Sequence, residues 1–139
     1  HTAIRRQRQM CIRDRVVFPR LKNDMLELLN SMGTPKFNDI KLSITENHAA
    51  TVILVSGGYP ESYEKGKTIT GLNDISNELI FHAGTIKKDN TFITNGGRVL
   101  AVTSTAKDFK KALKTSYSKI DKINFDEMNY RNDIGFDLL

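Results

Sequence analysis

Two places in this chain combine residue types that could hold an anion. The first is Ser56-Gly-Gly-Tyr-Pro-Glu-Ser-Tyr-Glu-Lys-Gly66. Consecutive backbone N–H groups in a glycine turn form a concavity that cradles an anion, and a nearby lysine adds a point charge. Gly57 and Gly58 supply the turn, Tyr59 lies beside it, and Lys65 supplies the charge. The second place is Asn95-Gly96-Gly97-Arg98, where a guanidinium directly follows a glycine pair. Its planar fork suits a phosphate through two parallel hydrogen bonds. The chemistry on offer is binding and positioning. For each turn alone, the plain alternative is a β-turn with solvated charges.

Nothing else assembles a reacting centre. His82 ends an apolar run before Ala83-Gly84-Thr85 and reads as a structural histidine, while His48 sits in a polar stretch. The histidines have no metal-ligand spacing, and one cysteine, Cys11, cannot form an internal disulfide or a zinc cluster. Glu61 and Glu64 are near each other without marks of an acid/base pair. No nucleophile elbow, Walker loop or dinucleotide fingerprint occurs. Catalytic residues and metal ligands are therefore both expected to be none.

For the two turns to make one pocket, the strands that lead into and out of them must be neighbours. Ala50-Thr-Val-Ile-Leu-Val55 is too short for an ordinary helix and rich in β-branched residues, so it reads as a buried strand. Arg98–Thr103 reads as a strand buried on both faces, with Val99 to Val102 continuously apolar. Between them lie Lys67–Thr70, Leu79–His82, and a hairpin placing Ile86 opposite Phe92-Ile93 across Lys88-Asp-Asn90. Thr105 with Asp108 resembles a capping box for a helix from Ala106 to Ile120, with an apolar stripe at Phe109, Ala112, Leu113, Tyr117 and Ile120. Upstream, Val17, Leu21, Met25, Leu28 and Met32 predict one helix over Val16–Met32, ended by Gly33-Thr-Pro35. Its apolar face needs something to pack on. The tail, Asn124–Leu139, reads as an irregular segment packing back on the sheet. The expected class is α+β: a small, mostly antiparallel sheet with flanking helices.

A length of 139 residues suits one domain with a modest core, and no apolar run approaches the ~20 residues of a membrane span. The net charge of +5 hints at nucleic acid, but residues 1–15 hold five arginines against one aspartate. That segment carries +4, leaving +1 on the remainder. The aromatics do not alternate with basic residues as a stacking platform requires. No nucleic-acid or membrane partner is expected, and a reducing cytoplasm is the expected setting. Met10-Cys-Ile-Arg-Asp-Arg15 looks like a translated transposon mosaic-end sequencing adapter, so residues 1–15 are expected to be a disordered artefact outside the fold. A native basic arm or a targeting peptide is the alternative, with no initiating Met at position 1 and no Ser-rich stretch to favour a transit peptide.

Several blocks carry a resemblance. Val52-Ile-Leu-Val-Ser-Gly-Gly-Tyr-Pro-Glu-Ser-Tyr-Glu-Lys-Gly66, Ile69-Thr-Gly-Leu72, Phe81-His-Ala-Gly-Thr85, Thr94-Asn-Gly-Gly-Arg-Val-Leu100 and Tyr130-Arg-Asn-Asp-Ile-Gly135 resemble, in order, the phosphoribosylamine–glycine ligase family. The likeness runs from Val16 to the end of the chain. It implies residues 16–34 as the last helix of a truncated ATP-grasp domain, 35–48 as a linker, and 49–139 as the C-terminal ligase domain. It implies an enzyme of purine synthesis that joins glycine to phosphoribosylamine through a glycyl phosphate, using ATP and magnesium (or manganese).

The family has an Asn-x-Arg-Phe-Gly-Asp-Pro-Glu segment, which helps hold magnesium, just before the helix at Val16. Here the adapter-like residues stand in its place, so no ATP or metal ligand is expected in this chain. The chain alone is expected to be inactive and to meet phosphoribosylamine, glycine and ATP through the missing domains. On this reading Arg98, Gly96, Gly97, Asn95, Lys65, Gly57, Gly58 and Tyr59 would face the phosphoribosyl phosphate and position the substrate amine. The alternative function is a free-standing anion- or nucleotide-binding module without catalysis.

Overall fold

The computed structural model describes residues 13–75 and 79–138, so Cys11 lies outside the described residues. Its strands are β1 (His48–Val55), β2 (Thr68–Ile69), β3 (Leu79–His82), β4 (Thr85–Lys88), β5 (Thr91–Thr94) and β6 (Arg98–Ala106). Its α-helices are α1 (Met25–Ser31), the single turn α2 (Lys36–Asp39), and α3 (Phe109–Ile120). The strands form two antiparallel sheets, ordered β1-β6-β3 and β2-β5-β4. This is the expected α+β class, with two small sheets rather than one. Among the described residues no helix is long and apolar enough to cross a membrane.

The apolar run Val99–Val102 occupies the central strand of the first sheet and is fully buried, as its composition requires. β1 alternates instead. Ala50, Val52 and Leu54 point into the core, while Thr51, Ile53 and Val55 remain half-buried on the other face. Helix α3 covers the inner face, where Ala112 and Leu113 pack against Ala50 and the Ser116 hydroxyl donates to the Ala50 carbonyl at 2.9 Å. Val52, Leu54, Leu100, Val102, Ile120 and Phe125 form the main core.

Strands β3 to β6 are one long hairpin folded over on itself. Asp89 and Asn90 close it with φ of 44° and 68°, the geometry of a primed two-residue turn, and Ile86 pairs with Ile93 as predicted. The hairpin crosses from one sheet to the other at Gly84 and Gly96. A Cβ on Gly84 would lie 2.6 Å from the Arg98 carbonyl oxygen and 2.7 Å from the Gly96 Cα, so the two strands can cross only without side chains there.

Two helix expectations are corrected. The Val16–Met32 helix is interrupted: a π-helical turn (Arg13–Val17) and a 3-10 turn (Phe18–Arg20, with Pro19 at its start) precede an extended break. In the break Leu21 bridges to Ile44, and the Lys22 N–H donates to the Ser43 carbonyl at 2.8 Å. The Asp24 carboxylate then accepts from the N–H groups of Leu26 (2.8 Å) and Glu27 (3.1 Å), which starts α1 afresh. Local capping thus overrides an apolar period that runs through the break. Likewise α3 begins at Phe109, not Ala106. Thr105 is still in the ladder opposite Ala49, and Asp108 alone caps the helix by accepting from the Lys111 N–H at 3.0 Å.

The tail packs back as expected and joins both sheets. Asn124 bridges to Thr70 beyond the end of β2, and Asn129 bridges to Val55 at the end of β1. The latter bridge has both of its hydrogen bonds, at 2.8 and 3.0 Å.

Candidate functional site

Antiparallel pairing of β1 with β6 sets Val55 opposite Arg98, so the two glycine-pair turns emerge side by side. They are bonded to each other. The buried Ser56 donates its N–H to the Gly97 carbonyl at 2.8 Å and its hydroxyl to the Gly96 carbonyl at 3.0 Å. The Tyr59 ring lies directly over Gly97, where any Cβ would overlap it. Tyr63 packs beside Tyr59, with ring centroids 6.2 Å apart.

Next to this junction is a groove of about 370 Å³. One wall is the outward face of β1, made by Thr51, Ile53 and Val55. The opposite wall is the tail, through Asn129, Tyr130, Arg131 and Ile134. Tyr59 and Arg98 complete the lining. The arrangement places two guanidinium groups and two tyrosines around an otherwise apolar slot, which suits a small ligand with an anionic group. Arg131 makes a bidentate pair with Asp133, with Nε and Nη2 each 2.8 Å from a carboxylate oxygen. That hydrogen-bonded guanidinium holds the Asp133 carboxyl below its ordinary pKa.

The N-terminal turn reaches the same face, so residues 13–15, expected to lie disordered outside the fold, are instead ordered and bonded to the sheet. The Arg15 carbonyl accepts from the hydroxyls of Thr51 and Thr103, each at 3.0 Å, and these two threonines face each other across β1 and β6. Arg15 and Arg98 also line a cavity of about 40 Å³ beside Ile53.

The residues singled out in the sequence divide. Tyr59 and Arg98 come together in the groove, with Gly96 and Gly97 forming the adjoining turn. Asn95 is exposed and its N–H is bonded to the Gly84 carbonyl at 2.8 Å. Gly57 and Gly58 open instead onto a separate groove that they share with Ser62, Tyr63, Glu64 and Glu127, an acidic setting unsuited to an anion. Lys65 is exposed and lines neither groove. The cation that organises this loop is Lys67, which pairs with Glu127 and lies 3.4 Å from Asp126 and 3.5 Å from Glu64. The hydrogen bond to Glu127 raises the pKa of its amine.

Arg131, Tyr130 and Asn129 were not anticipated as site residues. The adjacent tyrosine and arginine were visible in an irregular tail, but nothing in their spacing tells which strand the tail lies along. His82 is structural: its Nδ1 is 2.9 Å from the Thr85 hydroxyl and its ring lies 4.5 Å from that of Phe92. Among the described residues no group of three His, Cys, Asp or Glu side chains is placed to hold a metal ion, and Glu64, Asp126 and Glu127 converge on the Lys67 ammonium instead.

Comparison with known proteins locates the chain among relatives. The family described as "Phosphoribosylglycinamide synthetase, C domain" matches residues 49–137. The phosphoribosylamine–glycine ligase of Chlorobaculum tepidum is 41% identical over 123 residues, covering 86% of this chain and 29% of that protein. The ligase of Caldanaerobacter subterraneus is 37% identical over 119 residues, covering 86% and 28%. A bifunctional purine biosynthetic protein of Dictyostelium discoideum is 40% identical, covering 86% and 15%. The crystal structure of phosphoribosylamine–glycine ligase from Thermotoga maritima superimposes with a TM-score of 0.61 at 35% identity, covering 70% of this chain and 25% of that one. The chain thus spans less than a third of the length of these relatives.

Proposed function

The chain belongs to the family of the phosphoribosylglycinamide synthetase C domain, and on that footing we propose that it serves as the C-terminal part of a cytoplasmic ligase joining glycine to phosphoribosylamine. In this reading it binds the phosphoribosyl phosphate and holds the amine in place, while ATP and magnesium are handled by other parts of the ligase. The observation that carries it is the groove in which Arg98, at the start of β6, and Arg131, in the tail, meet Tyr59 and Tyr130. Two arginines supply guanidinium donors to a phosphomonoester, with Asp133 engaging one edge of Arg131 and offsetting one of the two positive charges.

The Arg15 carbonyl is pinned to Thr51 and Thr103 beside Arg98. That contact uses a backbone oxygen, which any residue type supplies, and so it is compatible with residues 1–15 being foreign to the ligase, which we also propose. The exposed apolar side chains of Leu29, Met32 and Leu42 give residues 16–34 and the following linker a face suited to a preceding ATP-grasp domain.

Ribose 5-phosphate, which differs from phosphoribosylamine by a hydroxyl at C1, is the probe. Titration followed by NMR should perturb the amides of Val55, Arg98 and Asn129, and Arg98→Ala should weaken binding at least about tenfold. Binding unchanged by Arg98→Ala would overturn the reading. The chain alone should release no ADP from ATP in the presence of glycine; glycine-dependent release would show that the nucleotide chemistry had been placed in the wrong part of the protein.

A further inference from the structure

One side chain outside the groove contacts three residues that line it. Tyr117 lies on α3, and its ring is packed against Tyr130, with centroids 6.2 Å apart. Its hydroxyl donates to the Arg131 carbonyl at 2.8 Å and accepts from the Ile134 N–H at 3.3 Å. Tyr130, Arg131 and Ile134 all line the groove, whereas Tyr117 does not. The hydroxyl thus closes the turn 131–134 at both ends. Within that turn Asp133 fixes the Arg131 guanidinium through two hydrogen bonds. Regular secondary structure anchors β1 and Arg98, but the irregular wall has no ladder beyond the single bridge at Asn129. Helix α3, packed by one face on the sheet, is the rigid body available to hold that wall.

We propose that Tyr117 is a positioning residue for Arg131: through its hydroxyl it sets the distance between the tail and β1, and so tunes the groove for a sugar phosphate. The inference rests on the proposed function and extends it to a residue that never touches the ligand. A guanidinium binds phosphate well only when its fork faces the oxygens, and shifts on the order of 1 Å can cost large factors in binding and rate. Asp133 favours one orientation of the fork, and Tyr117 fixes the backbone that carries it.

The test compares three forms of this chain titrated with ribose 5-phosphate at several salt concentrations. Tyr117→Phe keeps the ring and its packing and removes only the hydroxyl. It should weaken binding about five- to tenfold and leave the salt dependence unchanged, because no charge is altered. Arg131→Ala should weaken binding and also flatten the salt dependence. A melting curve checks that the Phe variant stays folded. If it does not, Arg131→Lys is the second arm: it keeps the charge but loses the fork, and its binding should approach that of Arg131→Ala. Wild-type affinity in the folded Phe variant, or in Arg131→Lys, overturns the positioning role while leaving the groove assignment standing. Failure of the unaltered chain to bind ribose 5-phosphate overturns both.

Discussion

Val55 at the end of β1 exchanges two backbone hydrogen bonds with Asn129, 74 residues later in the chain, and this bridge forms the groove. On one side of it stand Ile53 and Arg98; on the other, Tyr130 and Arg131. This wall of the groove therefore comes from a segment with almost no regular structure of its own, which makes it sensitive to the contacts that hold it.

The first prediction concerns the junction of the two glycine turns. Replacing Gly97 by Ala puts a methyl group into the Tyr59 ring, so the ring must leave. Tyr59 lines the groove, and Gly97→Ala should lower ribose 5-phosphate affinity as well as stability. The chain has no tryptophan, so tyrosine fluorescence reports the displacement. Unchanged emission and affinity would count against this close approach.

Ser56 is buried and ties the same turns together through its hydroxyl. Ser56→Ala should cost about 1–2 kcal/mol in urea unfolding, the loss of one hydrogen bond at a partly desolvated carbonyl. A neutral result would mean that solvent replaces the hydroxyl.

Leu100 lies in the centre of the three-stranded sheet, fully buried. Leu100→Ala should lose about 2–5 kcal/mol, from lost transfer energy plus the cavity left behind. Asp108→Ala, which removes the cap of α3, should lose about 0.5–2 kcal/mol. A larger effect from the cap than from the core would invert the packing hierarchy described here.

His82 predicts a pH dependence. His82 is exposed on one side, and partial desolvation of its ring lowers its folded-state pKa from the ordinary 6.5. The folded state therefore favours neutral imidazole, and the unfolded state binds the proton more readily. Stability from this group is present above pH 6.5 and declines as pH falls through the folded value. Melting temperatures measured between pH 7.5 and 5 should fall less steeply in His82→Gln. Parallel curves would remove His82 as the cause.

Much of the fold was legible because strand and hairpin signals are local. The short β-branched run of β1, the continuous apolar run of β6 and the Asp89-Asn90 turn each state their structure within a few residues. So does the placing of Arg98 directly after a glycine pair. The helix at Val16–Met32 was misread because the same window carries both an apolar period and, at Asp24, a capping signal that restarts the helix.

The sequence by itself determined the elements, the family likeness and half of the groove, Tyr59 with Arg98. Tertiary structure decided the other half. It brought the tail to the edge of β1, gave Lys67 rather than Lys65 the carboxylates of the loop and tail, and turned Gly57-Gly58 towards an acidic face. The physical reason is that a strand edge recruits its partner through backbone N–H and C=O groups. Every residue type carries those groups except proline, which lacks the N–H, so no side-chain pattern in the tail announces which edge it will meet.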